Sequence, residues 1–219
     1  MNKQLAPSVV VWDLPVRLVH WLIVICVGVS WWAAEQRLME VHLYSGYALL
    51  GCIVFRLYWG FAGSSTARFS EFVRGPRAIA AYLREPPLPA PPGHNPLGAL
   101  SVVALLALLV LQVGLGLFVT DVDGLESGPL SYLVSFETSR TLADAHEIVF
   151  NILLGFIALH VAAVVFYLLV KRTNLIGPML TGRRAAANVA NDARLVSLWR
   201  AIPGLMLAAL AVWYVARSY

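Results

Sequence analysis

The sequence predicts an all-α integral membrane protein, in which a bundle of four transmembrane helices is followed by a fifth helix near the C-terminus. Of the 219 residues, 59% are hydrophobic and only 13% are charged, and the mean hydropathy is +0.74. These values are far more apolar than those of an ordinary soluble domain. The apolar residues also form runs that are long enough to cross a hydrocarbon core about 30 Å thick, which takes about 20 helical residues.

Four runs have this length and a fifth is shorter. The first four cover about residues 14–34, 41–61, 97–119 and 143–170. The fifth covers about residues 202–216 and has Pro203 and Gly204 near its start. It ends in Trp213 and Tyr214, which are side chains typical of a membrane interface.

Helix-breaking and helix-capping residues agree with this division. Asp13 precedes Leu14 and Pro15, a pattern that predicts an N-cap and first turn for the opening helix. The proline-rich segment EPPLPAPPGHNP, residues 85–96, predicts an extended linker into the third span. We therefore expect a transmembrane domain over residues 1–175. Residues 176–219 form a basic cytoplasmic segment and the fifth helix.

The distribution of Lys and Arg predicts that the N-terminus is cytoplasmic. With this orientation, thirteen of the sixteen basic residues fall in inner segments, and only Arg37, Arg140 and Arg217 fall outside. Acidic residues gather in the outer segment 120–144. A cleaved signal peptide fits the first run poorly, because Arg17 and His20 interrupt it. The sequence therefore predicts a multi-pass protein of the bacterial inner membrane.

Four histidines lie in the predicted spans at two depths. His146 and His160 are fourteen residues apart on one helix, which brings them within about 40° of each other and roughly 21 Å apart along the axis. His42 stands at the outer start of the second helix, and His20 stands near the inner start of the first. Depth therefore predicts an outer pair, His42 with His146, and an inner pair, His20 with His160.

Two stacked pairs of imidazoles are the axial ligands that two b-type haems require. The alternative for any one of these histidines is a hydrogen bond to a neighbouring helix. Gly46, one turn after His42, leaves room for a flat macrocycle. Arg17 and Arg56 lie on the faces of His20 and His42 and are candidates to bind haem propionates, with snorkelling to the headgroups as the alternative for both. His94, in the proline-rich linker, is not predicted to be a ligand.

Three motifs resemble a known family. They are WDLPVRLVHW at residues 12–21, GHNPLGALSVVALLALLVLQVGLGLF at 93–118 and AHEIVFNILLGFIALHV at 145–161. They are similar to the b-type cytochrome subunit of nickel-iron hydrogenases and to the related prokaryotic cytochrome b561 family. The resemblance implies a four-helix protein with two b haems, whose ligand positions fall on His20, His42, His146 and His160. The basic tail after Arg172 and the fifth helix depart from the family pattern.

The resemblance also implies a function, which is electron transfer between a quinone pool and a redox partner. We expect the partner to be periplasmic, either a cytochrome c or a dehydrogenase or hydrogenase subunit, and to act near the acidic loop from Asp121 to Glu137. The protein is then an electron-transfer component rather than a stand-alone catalyst, working alone or as a homodimer. Nucleic acid is not an expected partner, because the basic residues lie beside apolar spans without interleaved exposed aromatics.

Three alternatives remain at this stage. One is a passive haem-bearing anchor of a redox complex. A proton-relay transporter would use the histidines as titrating groups, but it needs a polar pathway and broken midplane helices, and the spans hold few other ionisable groups. An enzyme with a histidine-bound metal centre needs closely spaced ligands such as HExxH, and the sequence contains no such motif.

Overall fold

The computed structural model describes residues 8–84, 93–185 and 193–218. Within them, five helices are long and apolar enough to cross a membrane, which confirms the predicted fold class. The helices are α1 (Leu14–Glu35), α2 (Met39–Ala62), α3 (Phe69–Phe72), α4 (Pro76–Arg84), α5 (Pro96–Gly116), α6 (Phe136–Leu169), α7 (Ile176–Thr181) and α8 (Ala201–Ala216). The candidate spans are α1, α2, α5, α6 and Leu198–Ala216, which contains α8.

The first helix begins at a side-chain cap. Asp13 Oδ1 accepts a hydrogen bond from the Val16 backbone N–H at 2.9 Å, as predicted for an N-cap residue. Its other oxygen, Oδ2, accepts a hydrogen bond from Trp59 Nε1 at 2.9 Å. One buried carboxylate therefore both starts α1 and fixes the indole of α2.

The start of α5 explains the local sequence GHNP. Asn95 Oδ1 accepts a hydrogen bond from the Gly98 backbone N–H at 2.7 Å, and Pro96 is the first residue of the helix, where its missing N–H is not needed. Gly93 has a φ of 85°, which favours glycine. The predicted linker lies mostly in residues 85–92, outside the described residues, and Gly93–Asn95 are not helical.

The connection between α5 and α6 contains a hairpin over residues 119–128. The hairpin carries an antiparallel bridge between Thr120 and Ser127, and Ser139 Oγ of α6 donates to Thr120 Oγ1 at 2.7 Å. Helix α6 begins at Phe136, earlier than the expected residue 143. Its first turn is capped by Ser135, whose Oγ accepts from the Thr138 backbone N–H at 3.2 Å, so a polar turn precedes the apolar span.

The N-terminal and C-terminal segments meet in a short sheet that the sequence did not predict. Strand β1 (Ser8–Val10) pairs antiparallel with β2 (Arg183–Ala185), and Val9 lies opposite Arg184. Helix α7 precedes β2 and ends at Gly182, which has a φ of 82°. The tail that was expected only as a basic segment therefore contains a helix and a strand.

The described residues fall into two compact units that differ in charge. The first unit takes its residues from 1–18, 58–103 and 159–201, and the second from 19–57, 104–158 and 202–219. The described part of the first holds eleven Lys or Arg against two Asp or Glu, and we call it the basic unit. The second holds four against eight, and we call it the acidic unit. The acidic unit contains an apolar core of Ile53, Leu109 and Leu153.

Candidate functional site

Within the acidic unit, the imidazoles of His42 on α2 and His146 on α6 face each other. Their ring centroids are 6.2 Å apart and their planes are inclined at 77°. A metal–imidazole bond is about 2 Å long, so two imidazoles on opposite sides of one metal ion place their ring centres roughly 6 Å apart. The separation therefore fits a single metal ion held between the two rings.

His42 is oriented by a residue of α1. Its Nδ1 lies 2.9 Å from the backbone oxygen of Ser30 and 3.1 Å from Ser30 Oγ. A carbonyl oxygen only accepts hydrogen bonds, so Nδ1 carries the proton and donates. This tautomer leaves Nε2 with a free lone pair, as a metal-binding histidine requires.

His146 is oriented in the same way by α5. Its Nδ1 lies 3.0 Å from the backbone oxygen of Gln112, so this ring also keeps its proton on Nδ1 and leaves Nε2 as an acceptor. The side chain of Gln112 approaches the other ring nitrogen, with Nε2 of the amide 3.0 Å from Nε2 of the imidazole. A Cβ on Gly116 would lie 3.0 Å from His146 Cε1. Gln112 and Gly116 are one turn apart on α5, so the ring lies on that face.

Glycine leaves space beside the outer pair. A Cβ built on Gly46 would meet no atom within 4 Å, and Gly46 lies one turn after His42 on α2. An open position of this kind suits a flat macrocycle beside His42, and the structure is therefore compatible with haem at His42 and His146.

The inner candidates, His20 and His160, belong to different units. In the basic unit, His160 Nδ1 lies 3.5 Å from Ser101 Oγ, so α5 contacts this histidine as it contacts His146. In the acidic unit, the His20 ring packs edge-on against Trp21, with centroids 5.2 Å apart. The inner pairing stays a prediction.

The two arginines of the sequence prediction have different surroundings. Arg56, on α2 in the acidic unit, is only 7% exposed, whereas a snorkelling side chain extends to the headgroups. Arg17, in the basic unit, donates from Nη1 to the backbone oxygen of Leu180. It also lines a cavity of about 290 Å³ together with Asp13 and Arg183. Of the two, Arg56 better matches a charge that faces the interior of a bundle.

His94 is packed between aromatic rings. In the basic unit its ring centroid is 4.6 Å from that of Trp12 and 4.8 Å from that of Phe72. The imidazole is half-buried there rather than facing solvent. Its surroundings assign it to packing beneath the start of α5.

Acidic and cysteine ligands do not gather around any histidine of the described chain. No group of three or more His, Cys, Asp or Glu side chains in residues 8–84, 93–185 and 193–218 is arranged to hold a metal ion. A haem iron takes its in-plane ligands from the porphyrin and needs only axial ligands from the protein. A facing pair of imidazoles is therefore sufficient as the protein's ligands to a haem iron.

Two of the apolar transmembrane helices carry histidines that face each other. This arrangement is typical of multi-pass membrane proteins that hold haem between helices. The family model for prokaryotic cytochrome b561 matches residues 11–182, well over half of the chain. The chain therefore belongs to this family, which confirms the resemblance seen in the sequence. The family consists of membrane b-type cytochromes, so the protein is a haem b-binding electron-transfer protein. Searches of curated proteins and of solved structures give no match.

Three side chains beside the histidines were not predicted, namely Ser30, Ser101 and Gln112. Each is a polar residue inside a long apolar run. Polar side chains in a transmembrane helix usually face the interior of the bundle, where they find partners. Their polarity within an apolar run is therefore the feature of the sequence that could have identified these three residues.

Proposed function

We propose that the protein carries two b haems and transfers electrons across the bilayer between a quinone pool and a redox partner on the outer side. The observation that carries the proposal is the facing arrangement of His42 and His146, 6.2 Å apart by ring centroids. Membership of the cytochrome b561 family supports it. The four histidines occupy two predicted depths, and a transmembrane path needs two such positions.

His42 and His146 hold the outer haem through their Nε2 atoms. Ser30 and Gln112 keep the proton on Nδ1 of each ring, so the Nε2 lone pair is the one available to iron. At His146 the iron would displace the Gln112 amide, whose Nε2 lies 3.0 Å from the ring Nε2. Gly46 leaves room beside His42. Haem iron in this coordination supplies a one-electron couple, whose potential depends on the ligands, hydrogen bonds and burial around it.

His20 and His160 hold the inner haem in this proposal. Ser101 orients His160 from α5, and Arg56 provides a buried positive charge for a propionate. Arg17 is the weaker propionate candidate, because one of its N–H groups already donates to the Leu180 carbonyl oxygen.

The outer partner docks near the hairpin of residues 119–128. Val122 and Leu125 at its tip are 73% and 83% exposed, and the acidic residues Asp121, Asp123 and Glu126 surround them. An acidic rim around an apolar patch suits a soluble redox protein with a basic face, such as a cytochrome c or a dehydrogenase or hydrogenase subunit, and association then weakens as ionic strength rises. The excess of arginine in the basic unit supports a cytoplasmic N-terminus in a bacterial inner membrane.

The deciding experiment counts haem. We expect the reduced-minus-oxidised spectrum of the purified protein to show two b haems per chain, His146→Ala and His160→Ala to retain one each, and His94→Ala to retain both. Circular dichroism checks that each variant is folded. A folded wild-type protein without haem, or a full haem content in both ligand variants, would overturn the proposal.

A second experiment separates an electron carrier from a passive haem-bearing anchor. Quinol is added to the protein in vesicles, and reduction of the haems is followed in the visible spectrum. A carrier is reduced by quinol at a rate that depends on quinol concentration. An anchor keeps both haems oxidised under these conditions, although dithionite still reduces them.

A further inference from the structure

The cavity of about 290 Å³ in the basic unit lies beside the start of α1. Its wall combines two arginines, Arg17 and Arg183, with apolar side chains that include Leu14, Leu195 and Leu198. None of the described residues that line it is a histidine, so the proposed haem sites do not account for it. Small-molecule sites in proteins usually measure roughly 300–1,000 Å³. The cavity is therefore large enough for one small polar group.

The guanidinium of Arg17 is held in place and keeps one unused donor. Its Nη1 donates to the backbone oxygen of Leu180. A Cβ on Gly182 would lie 3.3 Å from Arg17 Nε and 3.4 Å from Cζ, so the guanidinium lies against this glycine. Arg17 Nε is buried and has no hydrogen-bond partner among the described residues. A buried N–H without a partner calls for a specific explanation, such as a bound group that accepts from it.

The charges on the cavity wall suit an anion with a single charge. Arg17 and Arg183 are positive and Asp13 is negative, so these three side chains carry one net positive charge. Both oxygens of Asp13 already accept hydrogen bonds, from the Val16 backbone N–H and from Trp59 Nε1. A phosphodiester carries one negative charge, and guanidinium groups bind phosphate through strong charge-assisted hydrogen bonds. Phosphodiester is therefore the chemical group that matches this wall.

Exposed leucines lie beside the arginines, where two membrane spans begin. Leu14 and Leu198 are the first residues of the candidate spans Leu14–Glu35 and Leu198–Ala216. Leu14, Leu195 and Leu198 are 44%, 54% and 58% exposed. A charged wall next to an apolar surface at the end of a span corresponds to the boundary between lipid headgroups and acyl chains, where basic pockets bind anionic headgroups.

We propose that this cavity binds the phosphate of an anionic phospholipid through Arg17 and Arg183, while the three leucines contact its acyl chains. The inference goes beyond the proposed function and depends on neither haem. It gives Arg17 a role other than propionate binding, for which Arg56 is the stronger candidate. In the competing role, the arginines only attract the anionic membrane surface as a whole and hold no particular lipid.

The test measures the binding of phosphatidylglycerol to the purified full-length haem-loaded protein in detergent by native mass spectrometry. Arg183→Gln removes one phosphate ligand. Arg184→Gln is the matched control, because it removes the same charge from the next residue of β2, whose side chain lies on the other face of the strand and is not part of the cavity wall. We expect Arg183→Gln to weaken the tightest binding event about tenfold, as the loss of a charge-assisted hydrogen bond does. Arg184→Gln should bind like wild type.

Two further measurements identify the ligand. Phosphatidylcholine, which has a zwitterionic headgroup, should bind more weakly than phosphatidylglycerol. Inorganic phosphate in excess should not displace phosphatidylglycerol, because it has no acyl chains to contact the leucines. Circular dichroism checks that each variant is folded. If Arg183→Gln does not fold, Leu195→Gln decides, because this exposed side chain contacts the acyl chains and its replacement should also weaken binding.

Three outcomes would overturn the inference. Equal weakening by Arg183→Gln and Arg184→Gln would show a general attraction to charge. Equal affinity for the two lipids would exclude selection of an anionic headgroup, and displacement by inorganic phosphate would show a phosphate site rather than a lipid site. The haem content of Arg183→Gln is counted in the same samples. A loss of haem in wild type contradicts the proposed function, whereas a loss of lipid selectivity with haem retained contradicts only this inference.

Discussion

His146 on α6 and Gly116 on α5 are in contact, so that a Cβ added to Gly116 would lie 3.0 Å from the ring carbon Cε1. Real Cβ contacts are rarely so short. A side chain at position 116 would push the imidazole away by a few tenths of an ångström. The last turn of α5 therefore limits where the His146 imidazole can lie.

Gly116→Ala should displace the His146 ring by a few tenths of an ångström and reduce the haem held at the proposed outer site. We expect a lower haem content and an altered α-band, with the inner haem unaffected. Gly114→Ala is the control, because it lies on the opposite side of α5 from Gln112 and its Cβ would meet nothing within 4 Å. Equal spectra for Gly116→Ala and wild type would show that the contact does not constrain the ligand.

The angle between the two outer imidazoles predicts a spectroscopic property. The planes of His42 and His146 are inclined at 77°, and a near-perpendicular pair of axial imidazoles gives ferric low-spin haem a more anisotropic EPR signal than a parallel pair. We expect one strongly anisotropic signal in the oxidised protein. It should disappear in His42→Ala and persist in His160→Ala, and a signal typical of parallel planes at the outer haem would contradict the observed ring geometry.

If Arg56 binds a propionate of the proposed inner haem, its positive charge raises the potential of that haem. A positive charge on the order of 10 Å away, at an effective dielectric constant of about 20, contributes about 1–2 kcal/mol, or roughly a tenfold change in the reduction equilibrium. Arg56→Gln should therefore lower the inner potential by about 59 mV, the shift that a tenfold change in the equilibrium gives for a one-electron couple, as measured by redox titration. Arg217→Gln is the control, because that side chain packs over Trp213 near the C-terminus. An unchanged inner potential would remove Arg56 from the haem site.

The sequence predicted the transmembrane helices well because each is a long apolar run. It placed the start of α6 too late, since the polar turn from Phe136 resembles a loop in hydropathy, although Ser135 caps it as a helix. The pairing of β1 with β2 was not predictable, because it joins residues 8–10 to 183–185 through contacts between distant parts of the chain. Short polar helices such as α3 and α4 carry no such apolar signal.

The proximity of His42 and His146 was predictable from the sequence but their surroundings were not, and the role of the four histidines as ligands stays a prediction. Spacing and depth selected His42 and His146, since helical geometry is regular enough to calculate. The residues that orient them depend on how neighbouring helices rotate against each other. A lone glutamine in an apolar run does not reveal whether it faces lipid, another helix or a histidine, so the role of Gln112 needed coordinates.

Asp13 should be essential to the stability of the basic unit. Its carboxylate accepts from the Val16 backbone N–H and from Trp59 Nε1, both at 2.9 Å, and Trp59 is completely buried. Losing the helix cap costs about 1 kcal/mol, and leaving a buried indole N–H without an acceptor costs about 1–3 kcal/mol more. We therefore expect Asp13→Ala to lower the free energy of unfolding by about 2–4 kcal/mol, as measured by chemical denaturation in detergent micelles.

Asp13→Asn separates the two contributions to this loss. Asparagine has one side-chain oxygen, so it can accept from Val16 or from Trp59 but presents an N–H₂ group to the other. Its free energy of unfolding should fall between those of wild type and Asp13→Ala, and Trp59→Phe, which removes the indole donor while preserving most of the ring, should restore part of the loss in an Asp13→Ala background. If Asp13→Ala unfolds at the same denaturant concentration as wild type, the carboxylate contributes nothing to stability and the beginning of α1 must be held by the β1–β2 pair instead.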